Sequence, residues 1–389
     1  MKPSFKLGSL VLALALAFSA VTAGCSLNKE WSYKTSEKEL PIGVYIYMLN
    51  NAYSEAKGYA EKLKDYSSEK DSWLDMEITD DDGNKAVARQ WIKDKAEENC
   101  LTFLVVEDQM KKENATYDEA NLKERQELYK QYWEVGIQEQ YQQTPALSKS
   151  YEKYGISLES FNYVHADASL KQQALFDAMY GKGGSKEVKD DELNKFFTDK
   201  YVSYSYYTQP LYTATTDESG NQKNVALDDK KIKEYKDLFE GYAKDIKNGK
   251  SMDDVNKAYQ KESNDDTIEP TSNTEVLDEV AMGDEVKKAL KKLDSKQATT
   301  VTIGEKENAT LYFIYKDDIK EVSKTYLKDG SQKKQVLQEM KADEFKDYLK
   351  SETKKLKYEK NGAVDSYDPK MFFEPVKETT APATEAEEK

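Results

Sequence analysis

The chain holds one histidine, His165, and two cysteines, Cys25 and Cys100, in 389 residues. Each scarcity excludes a class of chemistry. One imidazole and two distant thiols leave no His/Cys cluster for zinc or iron. A Ser-His-Asp relay would have to use His165, and nothing in the sequence supports that. No glycine-rich phosphate loop occurs. The acidic run ITDDDGNKAVAR resembles a calcium loop, but framing it on Gly83 puts Ile78 at the first ligand position and Arg89 at the last, so it fails at both ends. No metal, cofactor or catalytic residue is therefore assigned. Basic charge is also short: 58 Lys and Arg against 73 Asp and Glu, a formal net charge of −15. Nucleic acid needs a net basic face and is excluded as a partner. With so few thiols the chain must rest on its core rather than on disulfides. Cys100 lies in the helical pattern AVARQWIKDKAEENCLTFLVVEDQM and reads as a small buried apolar residue.

Long apolar runs are missing too, save one. Lys2 and Lys6 precede an uncharged stretch from Leu10 to about Val21, then small residues and Cys25. That is a secretory signal peptide over 1–24, too short for a spanning helix. The ending Thr22-Ala23-Gly24-Cys25 resembles a bacterial lipobox, with Thr22 where leucine is usual. The resemblance implies that Cys25 becomes the first mature residue and carries a diacylglyceryl thioether, a palmitate-type lipid anchor. Two acyl chains give lasting attachment to a membrane. Residues 25–39 then form the lipidated cysteine and its tether.

Apolar periodicity organises the rest. Ile42, Tyr45, Ile46, Leu49, Tyr53, Ala56, Ala60 and Leu63 recur at helical spacing behind Pro41. Further helices are expected over about 85–113, 117–142 and 157–180, so the first 180 residues read as all-α. KGGSKEV is a hinge-like break. A short helix over 190–202 leads into the strand VSYSYYTQPLYTA. A turn-rich loop, a strongly amphipathic helix from Asp228 to Gly249 and a helix opened by the Ser251/Asp254 capping pair follow. Beyond them come a short strand within EVLDEVAMG, a helix over 283–293, strands ATTVTIG and ATLYFIYKDD, and a helix from about Lys333 to Leu356. Residues 368–389, acidic and rich in Thr, Ala and Pro, are expected to be disordered.

This pattern resembles the PrsA/SurA-type extracytoplasmic foldases. GISLESF and DDELNKFFTDKYV look like the family's run-up to an inserted parvulin-type peptidyl-prolyl isomerase domain. NGKSMDDV resembles its Gly-x-x-Phe-x-x-Leu turn, with Met252 and Val255 in the apolar places. MGDEVKKAL resembles its Met-x-x-Glu-Phe-x-x-Ala segment, with Val286 for phenylalanine. LYFIYKDD resembles its last strand. The resemblance implies an α+β fold: a helical chaperone lobe over 40–189, a parvulin-like α/β domain over 190–322, and a C-terminal helix over 323–367 returning to the lobe. It implies a membrane-anchored chaperone that binds unfolded, newly exported polypeptides on the extracytoplasmic face. A homodimer is left open.

The departures bear on activity. The family's first strand carries a histidine where this chain has Tyr206, and its last strand a histidine where this chain has Phe313. Prolyl isomerisation needs no proton loss. It needs a pocket that binds the twisted bond better than the planar one. Without those imidazoles a weak or inactive isomerase is expected. Along the first strand Val202, Tyr204 and Tyr206 share one face, and Ser203, Ser205 and Tyr207 the other. The first set reads either as a phenol-edged floor for extended peptides or as ordinary sheet core. The expected substrate-binding residues are Tyr204, Tyr206, Met252, Met282, Val286 and Phe313. The competing reading of function is a surface lipoprotein that binds one specific ligand or partner. His165 is expected at a boundary or exposed helix position.

Overall fold

The computed structural model describes residues 30–139, 142–216 and 220–375. Signal-peptide cleavage and lipidation at Cys25 lie outside the described residues. The chain divides into two compact units: one made of residues up to 109, 117–172 and from 352, the other of 110–116 and 173–351. The fold class is α+β, as expected.

The first unit is assembled around the helix Ile42–Ala60. Pro41 stands at its N-cap, where a missing N–H costs nothing. The spacing predicts one buried stripe, yet every residue from Ile42 to Leu49 is buried. Helices Ala88–Lys112, Glu119–Glu134 and Leu158–Asn162 contribute Ile92, Cys100, Leu104, Trp133 and Phe161 to the same core. Gly43 permits a close approach: a Cβ there would lie 2.4 Å from Ser160 Oγ.

Two stretches read as loose ends are built into this core. Trp31–Lys34, within the supposed tether, is the central strand of a three-stranded antiparallel sheet, between Glu39–Pro41 and Glu359–Lys360. Its Ser32 and Tyr33 are fully buried. Past residue 367, where the composition predicts a disordered tail, Pro369–Phe372 forms a helical turn. Phe372 packs against Tyr53 and Tyr154 at ring-centroid distances of 5.7 and 4.9 Å. Both segments are too short to show a period, and their partners lie far away in sequence. The rest of the tail, 376–389, lies outside the described residues.

The second unit holds a four-stranded antiparallel sheet in the order Thr271–Val276, Tyr201–Pro210, Thr310–Lys316, Gln297–Ile303. Helices Asp229–Lys247 and Met252–Ser263 cover one face. Helix Asp284–Lys292 sits on the other. A hairpin, Tyr212–Thr216 with Gln222–Ala226, replaces the expected loop. The sequence reading sets the insert's limits at 190 and 322. Residues 173–189 and 323–351 belong to the same compact unit as the sheet. Phe176 meets Phe345 edge-on at 5.3 Å, and Lys334 pairs with Asp177 at 2.6 Å. Phe197 stacks between Tyr201 and Tyr326, at 4.8 and 5.0 Å.

Candidate functional site: a half-covered sheet face

Side chains alternate across a strand, so register decides which residues can meet. Tyr206 lies opposite Ile314, while Tyr207 lies opposite Phe313. Tyr206 and Phe313, the two positions matched to the family's histidines, therefore stand on opposite faces of the sheet. The resemblance places two imidazoles in one pocket; these two positions cannot share one.

The first face carries Val202, Tyr204, Tyr206, Tyr312, Ile314, Val301 and Ile303, with Val286 and Leu290 of helix Asp284–Lys292 packed on part of it. The end of that helix is pinned. Lys316 Nζ donates to the carbonyls of Leu290 and Leu293, both at 2.8 Å. A cation there answers the exposed carbonyls of a helix C-terminus, while burial pulls the Lys316 pKa down. Tyr204 and Ile314 are sealed beneath this cover, whereas Tyr206, Tyr312, Val301, Ile303 and Met282 are half-buried. Tyr206 and Tyr312 lie 6.1 Å apart by ring centroid. Among the described residues neither phenol has a hydrogen-bond partner in the protein.

Tyr204 has a different task. Its hydroxyl donates to Glu275 Oε1 at 2.5 Å and accepts from Asn273 Nδ2 at 3.2 Å. Glu275 Oε2 in turn accepts the Ala281 N–H at 2.9 Å. Burial, and then the Glu275 carboxylate, push the Tyr204 pKa up. The group locks strand Thr271–Val276 and the approach to helix Asp284–Lys292 to the sheet. It offers nothing to a ligand.

The opposite face is closed. Tyr207, Leu311 and Phe313 pack with Phe239, Tyr242, Ile246 and Val255, and Met252 leans on the same cluster. Tyr207 donates to Asn256 Oδ1, and Asn256 Nδ2 donates to Glu269 Oε2 at 2.7 Å. The serines of the strand bind their neighbours. Ser203 Oγ donates to Asp317 Oδ2 at 2.8 Å, and Ser205 Oγ lies 3.0 Å from Ser272 Oγ.

The six expected binding residues thus divide. Tyr206 and Met282 are accessible in part on the first face. Tyr204 and Val286 are buried under it, Phe313 belongs to the core of the other face, and Met252 lies half-buried against that core. Sequence reasoning missed Tyr312, Val301 and Ile303. The signal that finds them is register: Tyr312 is two residues from Ile314 and shares its face.

His165 is half-buried, at the boundary position expected for it. It sits in the π-helical turn Tyr163–Ala168 of the first unit, with Nε2 2.7 Å from Tyr47 Oη. Phe161 and Tyr129 flank its ring at 4.3 and 5.3 Å. Among the described residues no carboxylate is hydrogen-bonded to it, and its partner is the Tyr47 phenol. No metal-holding cluster of His, Cys, Asp and Glu occurs among the described residues, and no described helix is long and apolar enough to cross a membrane. The sheet face can bind by apolar area and phenol hydrogen bonds.

No protein-family model matches the chain, and no curated protein matches it. Among solved structures it is similar to the foldase protein PrsA from Streptococcus pneumoniae str. Canada MDR_19A, at 15% identity and a TM-score of 0.33, over 74% of this chain and 97% of that one. It is also similar to PrsA from Bacillus subtilis, at 15% identity and a TM-score of 0.23, over 68% of this chain and 91% of that one.

Proposed function

We propose that the protein is a membrane-anchored extracytoplasmic chaperone of the PrsA type, which holds unfolded exported polypeptides and has little or no prolyl isomerase activity. The observation that carries this reading is the half-covered sheet face, where Tyr206, Tyr312, Val301, Ile303 and Met282 present apolar area and two phenols without a protein partner. Tyrosine suits the task because it brings large area, few rotatable bonds and a polar tip. Such a surface grips many sequences without reacting with any. The absence of imidazole from the sheet supports weak catalysis: Tyr206 can give one hydrogen bond, and Phe313 faces the other way. The signal-like and lipobox-like start of the chain supports export and anchoring through Cys25.

The test uses residues 26–389 and two unrelated denatured proteins. Near-stoichiometric amounts should suppress aggregation of both, and the double variant Tyr206→Ala/Tyr312→Ala should lose most of that effect while staying folded. A refolding reaction limited by proline isomerisation should be accelerated little. Failure to suppress aggregation of either client sinks the reading. In cells, Cys25→Ala should move the protein out of the membrane fraction; unchanged fractionation would remove the anchor.

A further inference from the structure

The sheet of the second unit ends on two strands, Thr271–Val276 and Gln297–Ile303. Open edges invite pairing with another chain, and proteins blunt them with lysine, proline, bulges or brevity. The first edge begins directly after Pro270, carries Glu275 and passes at once into the turn Leu277–Glu279. The second, QATTVTI, has none of these four devices, although helix Asp229–Lys247 packs against it. It runs for seven residues without charge or proline, and its register is unbroken from Gln297 opposite Lys316 to Ile303 opposite Thr310. In a chain with 34% charged residues, an uncharged edge of that length stands out.

The groups it offers follow from the pairing. Asp317 N–H donates to Ser203 O, and Leu211 N–H to Ala309 O. Odd-numbered residues of the strand Thr310–Lys316 therefore bond to Tyr201–Pro210. Its even-numbered residues face Gln297, Thr299, Val301 and Ile303. The alternation directs the N–H and C=O of Ala298, Thr300 and Thr302 away from the sheet. Among the described residues they meet no partner. The same strand places Val301 and Ile303 on the half-covered face beside Tyr312.

We propose that the edge Gln297–Ile303 takes up an extended segment of an unfolded polypeptide as an added strand, whose alternate side chains lie on the Val301 and Tyr312 side. This rests on the chaperone reading and supplies its mode of recognition. Main-chain pairing is indifferent to sequence, and the adjoining apolar patch favours segments with β-branched or aromatic residues at every second position. An uncharged edge neither selects nor repels a client by charge. A second copy of the chain is the competing occupant.

The experiment uses the detergent-solubilised full chain and a capped peptide of alternating valine and threonine, flanked by one lysine and one glutamate. Its twin is N-methylated on the amides of the valine–threonine stretch. Thr300→Pro removes an outward N–H and leaves the bonds to Thr310–Lys316 in place. Thr302→Lys, at an exposed position, adds the missing edge charge. The peptide should bind the wild type, the twin should not, and each substitution should weaken binding about tenfold, the scale of one or two net hydrogen bonds. Urea midpoints establish that the variants fold; if Thr300→Pro does not, Thr302→Lys decides. Equal binding of peptide and twin, binding of neither, or unchanged affinity in folded Thr302→Lys overturns the proposal. So does concentration-dependent dimerisation that Thr302→Lys abolishes, which assigns the edge to a second copy. If only Tyr206→Ala/Tyr312→Ala weakens the peptide, strand pairing fails and the chaperone reading stands. Loss of aggregation suppression in the wild type fails that reading independently.

Discussion

Tyr204 and Tyr206 stand two residues apart on one face and have opposite relations to it. Tyr204 is sealed and hydrogen-bonded at both oxygen roles; Tyr206 is half-open and has no partner in the protein. Tyr204→Phe leaves Glu275 without its phenol donor and should cost about 1–3 kcal/mol. Tyr206→Phe should stay within about 0.5 kcal/mol. Paired urea titrations check both, and equal costs would mean that the two phenols do not divide as described. His165 makes a pH prediction. Burial holds its pKa below the ordinary 6.5. The fold favours the neutral ring, so the contribution is complete above the unfolded value and is lost as pH falls through the window below it. The urea midpoint should drop between about pH 7 and about pH 5, and His165→Gln should flatten that drop. An unchanged slope in the variant would assign the pH dependence to other groups.

At the scale of elements, the C-terminal segment shows how a short piece becomes structural. Pro369–Phe372 is one helical turn, with Asp368 Oδ1 accepting the Lys370 N–H at 2.9 Å as its cap. Arg89 holds Asp368 by an ion pair as well. The turn persists because Phe372 enters an aromatic cluster with Tyr53 and Tyr154. Phe372→Ala should destabilise the first unit by about 3–5 kcal/mol. Chemical denaturation followed by Trp73 fluorescence reads it, since Tyr53 also meets Trp73 at 5.1 Å. A cost below about 1 kcal/mol would make the segment an ornament. The edge strand Gln297–Ile303 is the contrasting case: a regular element whose outward N–H and C=O groups have no partner among the described residues.

For the whole molecule, the two units differ in how the chain supplies them. The second unit is nearly continuous over 173–351, while the first draws on both ends of the chain. Residues 173–351 made alone should unfold in one cooperative urea transition. Residues 30–172 alone should not, because they lack strand Glu359–Lys360 and the core residues Val364 and Phe372. Cooperative unfolding of that shorter piece would show the returning segment to be dispensable.

Much of this architecture is legible from periodicity. The helix behind Pro41, the capping pair Ser251/Asp254 and the strand from Tyr201 each declare themselves within a dozen residues, because helix and strand periods are local properties. The scarcity of histidine likewise decides without coordinates that no imidazole stands on the sheet, since His165 lies outside it. What needed tertiary structure was everything set by pairing between distant segments. Trp31–Lys34 is a strand only because Glu359–Lys360 comes back to it, and Phe313 leaves the expected site because a shift of one residue in register moves a side chain through the sheet. Whether a tyrosine on that sheet is sealed like Tyr204 or open like Tyr206 depends on where helix Asp284–Lys292 stops, and Lys316 settles that by holding its last carbonyls.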